Sequence, residues 1–368
     1  MTPLRIAAEG LCSALGYTLP RTAAAIRSRL NLFRETHFVG LGGKPVVGAL
    51  LHGLNIWGGQ RQAALLRMSF EEVWARAATS EGAALSPDST ALLLLLPPAG
   101  QHAVPLNELH EAFRALTDGH GLHPASGAMH AGRGGVAAGI QRAAQWLAKD
   151  AASTAARDGG TAVRHVIVLA SDSLLTAPTV ERLLAQRRLA EDQHTDALLP
   201  GEAAAAVMLT RTAAPTAGPE VWITGAAHGL DDWRPGADAP MRAQALTAVL
   251  RDAARQSGAG VADAEFHASG MNGEHWMARE IELALSRAME RRRADFPHHR
   301  IAQFIGDAGT AGAVATLAWI THEMRVASDA ARAGTARIGR TGLLHFSEDD
   351  GQRSALMLRA PGVAHATA

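Results

Sequence analysis

Apolar residues in this chain fall in short continuous runs that are separated by longer amphipathic stretches. The runs lie at 4–8, 91–96, 163–170, 204–209, 221–226, 301–305, 342–346 and 355–358. A continuous run is typical of a strand that helices cover on both faces of a sheet. Stretches with helical periodicity lie at 19–29, 61–78, 136–149, 241–256, 274–292 and 311–327. Strands alternating with helices of this length predict an α/β fold with mostly parallel strands.

A stretch rich in proline, glycine and small residues, TAAPTAGPE at 212–220, interrupts this pattern and is typical of a linker. The expected division is an N-terminal half over 1–211, a linker over 212–218 and a C-terminal half over 219–368. Each half ends in two runs with no long helix between them, at 163–170 and 204–209 and again at 342–346 and 355–358. This repetition predicts two related halves rather than a solenoid.

Composition and charge narrow the classes of protein that the chain can belong to. Among the 368 residues, 35 basic side chains balance 35 acidic ones, so no charge excess points to nucleic acid or an anionic membrane. The single cysteine, Cys12, excludes an internal disulfide and a thiolate-rich zinc site. The apolar run at 91–98 is shorter than the roughly 18 residues of a spanning helix. We expect a bacterial cytoplasmic protein.

Three segments carry a family resemblance. They are VIVLASDSLL at 166–175, LPGEAAAAVML at 199–209 and IGDAGTAGAV at 305–314. In this order and at these spacings they resemble the ketoacyl-synthase branch of the thiolase superfamily. The resemblance implies a layered αβαβα fold of two related α/β halves with mixed, mostly parallel sheets, and it implies a two-fold dimer.

The resemblance also implies a catalytic cysteine that the chain does not carry. In this family the cysteine thiolate stands at the N-terminus of a buried helix, where the helix dipole and free N–H groups stabilise its charge. The matching helix here is 136–149, and Arg133 stands near the place of the cysteine. Cys12 cannot substitute, because it lies in the predicted first strand-to-helix turn, where a small buried residue is expected.

Further family positions have changed as well. By the same resemblance Asp307 replaces a histidine, and Ala302 replaces a lysine five residues before it. The turn that supplies an oxyanion donor corresponds to the acidic segment SEDDG at 347–351, whose charge would oppose an oxyanion. The other family histidine matches His267, which a hydrogen-bonded histidine at a strand end explains equally well. We therefore expect a pseudo-enzyme with no cofactor and no metal.

Other patterns that suggest catalysis or ligand binding are weaker. Ser126 lies near His123 and His130, either of which could activate it, but a polar surface loop is the simpler interpretation. The glycines at 306–312 are spaced G-x-x-G-x-x-G, so packing of helix on strand is expected rather than a dinucleotide site. No pair of histidines has the spacing of a metal site.

Two surface features are relevant to partner binding. The arginines at 291–293 and the HHR segment at 298–300 form a basic cluster. A solvated helix end explains this cluster most simply, with an acidic partner as the alternative. Trp57 and Trp233 fall in predicted loops, where an exposed aromatic side chain can anchor a partner.

Three functions remain open at this point. The first is a binding or adaptor protein that keeps a condensing-enzyme fold and forms a homodimer. A narrower resemblance, to thiolase-like proteins encoded beside type VI secretion spikes and effectors, gives it a partner, a secretion effector or spike protein. That resemblance rests on 23–27, 33–38, 132–134, 272–274 and 347–353. The second is a silent partner subunit like a chain-length factor, and the third is an acyl-thioester enzyme that uses His267 or Ser126.

Overall fold

The computed structural model describes residues 1–100, 106–152, 161–191, 194–214, 219–328 and 338–361, with the backbone alone for 149–152. The elements of the first half are β1 (Leu4–Ser13), α1 (Leu19–Arg27), β2 (Arg34–Val39), β3 (Pro45–Gly48), α2 (Gly58–Glu81), β4 (Thr90–Leu96), α3 (Asn107–Gly119), β5 (Gly127–His130), α4 (Val136–Ala152), β6 (His165–Ser173), α5 (Ala177–Ala185) and β7 (Glu202–Thr210). Those of the second half are β8 (Trp222–Leu230), α6 (Gln244–Gln256), β9 (Phe266–Ser269), α7 (His275–Ala288), β10 (His298–Arg300), α8 (Ala302–Ile305), α9 (Gly309–Ser328), β11 (Thr341–Ser347) and β12 (Gln352–Arg359).

The main sheet repeats one strand order in both halves. Its strands follow the order β10-β9-β11-β12-β8-β1-β7-β6-β4-β5. Read outward from the centre, each half places its first strand, then its last, then the one before the last. The two halves join where Leu4 and Arg5 of β1 pair with Ile223 and Trp222 of β8. The two halves are therefore related by topology, as the sequence predicts.

The sheet is mixed, but most of its strand pairs are not parallel, which differs from the expectation. Among the described strands, the pairs β4·β5, β4·β6, β9·β10 and β9·β11 are parallel. The pairs β1·β7, β1·β8, β6·β7, β8·β12 and β11·β12 are antiparallel. In each half the last strand runs back beside the strand before it, so the pairs β6·β7 and β11·β12 are antiparallel.

Five layers stack through the molecule, in the expected αβαβα order. Helices α2 and α3 cover the outer face of the N-terminal strands, and α6 and α7 cover the outer face of the C-terminal strands. Helices α4 and α9 lie in the layer between the two sets of strands. Helix α9 is apolar on nearly every side, which is typical of a helix with packed surfaces all round. The sequence resemblance places the expected active site at the N-termini of these two inner helices.

The local predictions fail at two places. The run at 301–305 forms the short helix α8 instead of a strand, because periodicity alone cannot separate the two for a short apolar run. Cys12 lies within β1 and not in the turn that follows it.

The predicted linker falls between the end of β7 and the start of β8. Its residues 215–218 lie outside the described residues. The division of the chain at this linker stays a prediction.

No helix in the described ranges is long and apolar enough to cross a membrane.

Candidate functional site

The turn that leads into α4 packs tightly against the C-terminal half. Gly132 has a φ of 56°, in the left-handed region that favours glycine. A Cβ atom added to Gly134 would lie 2.4 Å from the carbonyl oxygen of Gln352. Glycine at 134 therefore allows the turn at 347–351 to approach the elbow. This contact brings Arg133 and the acidic turn together.

Arg133 is buried and paired with two carboxylates. Its Nη1 lies 2.8 Å from Asp307 Oδ2, and its Nε lies 3.6 Å from Glu348 Oε2. Burial lowers the pKa of Arg133, but the charges of Asp307 and Glu348 raise it by more than burial lowers it, so the net shift is upward. A buried cation is stable only when it is paired in this way. The guanidinium therefore stays charged and cannot act as a nucleophile.

The backbone N–H of Arg133 has a partner as well. It donates to Glu348 Oε2 at 2.8 Å. An oxyanion hole needs free donors aimed at the place where negative charge develops. Here a carboxylate from the C-terminal half already accepts from the elbow donor.

The ion network extends beyond these three residues. Asn272 Nδ2 donates to Asp307 Oδ2 at 2.7 Å and to Glu274 Oε2 at 3.1 Å. Arg188 binds both oxygens of Glu274, with its Nε 2.6 Å from Oε1, and it also pairs with Asp349. We call this set the elbow ion network; its members are Arg133, Arg188, Asn272, Glu274, Asp307, Glu348 and Asp349.

Two arginines face four carboxylates in the elbow ion network. Burial raises the pKa of Glu348, although Arg133 acts in the opposite direction. Burial also acts to raise the pKa of Asp349, but the hydrogen bond and charge of Arg188, together with the charge of Arg133, outweigh burial and the pKa is lowered. The two neighbouring acids of the turn therefore shift in opposite directions.

The cavities beside Arg133 are small. One has a volume of about 50 Å³ and is lined by Pro98, Arg133, Arg188 and Thr310, among others. The other, of about 10 Å³, is lined in part by Ala302, Arg133 and Asp307. The larger has room for a few water molecules, whereas ligand pockets usually measure roughly 300–1,000 Å³. Neither of these two cavities accommodates an acyl chain.

Carboxylates occupy the first turn of the other inner helix too. Asp172 Oδ2 accepts from the N–H of Thr310 at 2.9 Å, and Asp307 Oδ1 accepts from the N–H of Gly309 at 2.9 Å. Asp172 ends β6 of the N-terminal half, whereas α9 belongs to the C-terminal half. Each inner helix is thus capped by an acid from the other half.

His267 lies apart from the elbow ion network. Its β9 neighbours Phe266 and Ala268 face the core around α4 and α9, so its own side chain points to the opposite face of the sheet. There its Nδ1 lies 3.0 Å from His345 Nε2, and its ring stacks on His298 with centroids 4.0 Å apart. Its role as a retained catalytic histidine stays a prediction.

Burial keeps this histidine cluster neutral. Removal from water lowers the pKa of His298 to about 4 and that of His345 to about 3, and His267 shifts in the same direction. Ser269 Oγ lies 2.7 Å from His298 Nε2, which supplies that ring with a neutral partner. The cluster consists of uncharged imidazoles under the outer helix layer.

The two alternative nucleophiles have structural partners. Cys12 is fully buried, with Sγ 3.5 Å from the carbonyl oxygen of Leu65, and burial raises its pKa to about 12. Ser126 Oγ donates to the carbonyl oxygen of His123 at 2.7 Å and accepts from the N–H of Leu92 at 3.0 Å. The rings of His123 and His130 bond to the carbonyl oxygens of Thr161 and Pro97 instead.

Sequence reasoning did not identify Arg188, Asn272 and Glu274 as parts of this site. Asn272 and Glu274 lie in the NGE segment that carries the narrower resemblance, so the sequence marked these two residues but did not indicate their role. Nothing around Arg188 in the sequence marks it as a half-buried, ion-paired residue. Trp57 is 56% exposed, as its predicted loop position implies, whereas the Trp233 ring packs at a tilt against that of Trp276, with centroids 5.8 Å apart.

Comparisons with known proteins bear on the fold. No protein-family model matches the chain, and no curated protein matches its sequence. Among solved structures, the ketosynthase of module 6 of the bacillaene synthase from Bacillus subtilis 168 matches with a TM-score of 0.76 at 11% identity, over 98% of this chain and 72% of that one. An oxazolomycin ketosynthase domain from Streptomyces albus gives 0.73 at 14%, over 97% and 75%.

A third match comes from a two-subunit complex. The structure of a ketosynthase with its chain length factor from Xenorhabdus doucetiae matches with a TM-score of 0.68 at 13% identity, over 98% of each chain. Identities this low establish the architecture and nothing finer. The chain has the thiolase-like fold of the ketosynthases.

Proposed function

We propose that this protein is a catalytically silent molecule with a ketosynthase fold that acts by binding other proteins. One observation carries the proposal: a buried, ion-paired arginine stands at the elbow where the family nucleophile is expected. Arg133 fills the space, and Glu348 accepts from the elbow N–H. Acyl transfer needs both a nucleophile and a free oxyanion donor at that point.

Covalent labelling tests the silent-enzyme part of this proposal. The purified protein is incubated with acyl and malonyl thioesters and with a fluorophosphonate, and its intact mass and the release of carbon dioxide are measured. We expect no adduct and no decarboxylation, with an active ketosynthase as the positive control. A stoichiometric adduct would contradict the proposal. Its loss in Ser126→Ala or His267→Ala would then support the alternative of altered acyl-thioester chemistry.

In its specific form, the proposal is an adaptor that helps to load a type VI secretion effector. The narrower sequence resemblance supports this form, and the exposed indole of Trp57 offers an anchor for a partner. Co-expression with the effector or spike protein encoded beside it should yield a complex that co-purifies. If the two proteins separate on gel filtration, the adaptor form is wrong and the general binding role survives.

A homodimer is the expected assembly of the adaptor. Strand β5 ends the sheet beside α4, and among the described strands it pairs on one side alone, with β4. An open edge of this kind is a ready surface for pairing with a second chain. Light scattering of the purified protein measures its mass directly.

The second candidate is a silent partner subunit of an active ketosynthase. Structures of ketosynthase and chain-length-factor complexes among the matches favour it. It predicts a heterodimer when the chain is co-expressed with a ketosynthase from the same source. A stable homodimer that does not exchange with that ketosynthase would exclude this candidate and leave the adaptor.

A further inference from the structure

A surface groove lies between the C-terminal ends of α6 and α7, in the outer layer of the C-terminal half. Its volume is about 570 Å³. Three arginines, Arg251, Arg255 and Arg287, line it together with the apolar residues Ala259, Ala288 and Met289. We call it the arginine groove. It lies on the far side of the C-terminal strands from the inner helices and their elbow ion network.

Positive charge in the arginine groove is poorly compensated. Arg251 donates to the carbonyl oxygen of Arg287, and Arg287 donates to the carbonyl oxygen of Arg242. Within the described chain, neither Arg251 nor Arg287 has a carboxylate at ion-pair distance. Arg255 pairs with Asp252 at 2.9 Å, but both side chains are strongly exposed, at 76% and 45%, and such surface pairs interact weakly.

The two acids in the wall of the groove are engaged elsewhere. Asp263 accepts from the N–H of Gly260 and pairs with Arg291 at 2.6 Å. Glu290 accepts from the backbone N–H groups of Val261 and Ala262. Neither carboxylate bonds to Arg251 or Arg287. Three arginines against two carboxylates give the lining of the groove a positive charge in excess.

Helix-end electrostatics account for only part of this arrangement. Arginines near a helix C-terminus are favoured by its dipole and by its free carbonyl groups. Arg251 and Arg287 each use a single nitrogen for such a carbonyl. A guanidinium carries five donors, so most of them stay available to a ligand. The available guanidinium donors lie beside apolar lining residues, an arrangement that suits ligand binding and that helix-end electrostatics alone does not require.

We infer that the arginine groove binds an acidic, partly apolar peptide segment of a partner protein. Guanidinium groups bind carboxylates bidentately, and the floor of Ala259, Ala288 and Met289 suits small apolar side chains between them. Nucleic acid fits less well, because the groove has no aromatic lining for base stacking. The inference rests on the proposed binding role and gives the partner a chemistry.

Fluorescence anisotropy tests it with a labelled peptide, Asp-Glu-Leu-Glu-Asp-Leu-Glu, and its amide counterpart, Asn-Gln-Leu-Gln-Asn-Leu-Gln. The acidic peptide should bind at low salt, and its binding should weaken as salt rises, while the amide peptide should not bind. The double variant Arg251→Gln, Arg287→Gln should weaken binding by about tenfold or more. All four substituted groups in this variant and its control are exposed, so thermal melting should confirm that both proteins fold.

The matched control is Arg67→Gln, Arg114→Gln, which removes the same charge from the outer helices α2 and α3 of the other half. It should bind the peptide as the unchanged protein does. No binding of the acidic peptide, or an equal loss in the control, would overturn the inference. So would tighter binding of a single-stranded DNA of about 20 nucleotides that the groove variant abolishes. These outcomes are independent of the covalent-labelling result, so the two proposals fail separately.

Discussion

The two halves share one topology but bury different chemistry in equivalent places. In the N-terminal half, the outward-facing residues in the middle of β4 and β6 are aliphatic, namely Leu92, Leu94, Ile167 and Leu169, and His165 at the start of β6 lies 3.5 Å from the Glu81 carboxylate. In the C-terminal half, the corresponding strands β9 and β11 place His267 and His345 on that face. The N-terminal half buries one imidazole beside a carboxylate, whereas the C-terminal half buries a cluster of imidazoles that contact one another. Burial lowers the pKa of His165 too, but the cluster adds several such groups, so the C-terminal half should contribute more to the pH dependence of stability.

The inner helices show a second difference within the same plan. Asp172 caps α9 and Glu348 caps the elbow before α4, each from the opposite half. Only the α4 side adds a buried cation, Arg133, which links Glu348 to Asp307. Asp307 belongs to both ends, because it accepts from the N–H of Gly309 at α9 and also pairs with Arg133. The cation at the elbow therefore joins the two helix termini.

The largest expected effect comes from removing the cation. Arg133→Met leaves Asp307 and Glu348 buried without their partner, which should cost about 3–5 kcal/mol of unfolding free energy. Urea unfolding measures this cost. Adding Asp307→Asn to Arg133→Met should recover part of it, and a double-mutant cycle gives the coupling between the two side chains. An Arg133→Met protein as stable as the parent would show that the ion pair contributes little.

A smaller effect should appear on acidification. His345 is buried and its pKa is lowered to about 3, so the unfolded chain takes up a proton below about pH 6.5 while the folded state does not. Stability should therefore fall as pH drops, by on the order of 2 kcal/mol between pH 7 and pH 5 for this residue. Unfolding followed across this range should show a shallower fall in His345→Asn. An equal pH dependence in both proteins would contradict the assignment.

The smallest expected effect is the difference in stability cost between substituting Asp172, which caps α9, and substituting Glu348, which caps the elbow. Asp172→Asn removes charge from the α9 terminus and should cost about 1 kcal/mol. Glu348→Gln should lower the unfolding free energy by less than this at neutral pH. Burial raises the pKa of Glu348, so ionisation of this carboxyl destabilises the folded protein relative to the unfolded chain. This destabilisation is absent below the unfolded pKa and grows as pH rises through the folded pKa. Unfolding midpoints at pH 5 and pH 7 test this order, and a larger cost for Glu348→Gln at pH 7 would reverse it.

The fold was largely predictable because its signal is local. Buried runs such as Leu92 to Leu96 follow from the sequence directly. The helix at 311–327 was predicted as amphipathic, whereas α9 is buried on nearly every side. Helix α3 was not predicted; its buried face consists of Leu109, Ala112 and Leu116, a thin stripe in an otherwise polar segment. Strand β9 carries His267 and Ser269 at half of its positions, so it gives no continuous apolar run.

The site was predictable only position by position. The family resemblance pointed to Arg133, Asp307 and the 347–351 turn one position at a time. Their pairing was not, because Arg133 lies 174 residues from Asp307 and 215 from Glu348 in the chain. A single sequence does not state which distant charges meet. The rule that buried charges need partners applies only once burial is known.

The capped elbow limits which side chains position 133 can accept. A cysteine placed at 133 would face the carboxylates of Asp307 and Glu348, whose charges raise the pKa of a thiol and suppress its thiolate. Its N–H would still meet the carboxylate of Glu348. A thiolate at this position would therefore need changes at 307 and 348 as well as at 133. Position 133 is coupled to two distant carboxylates and cannot be exchanged one residue at a time without leaving a buried charge unpaired.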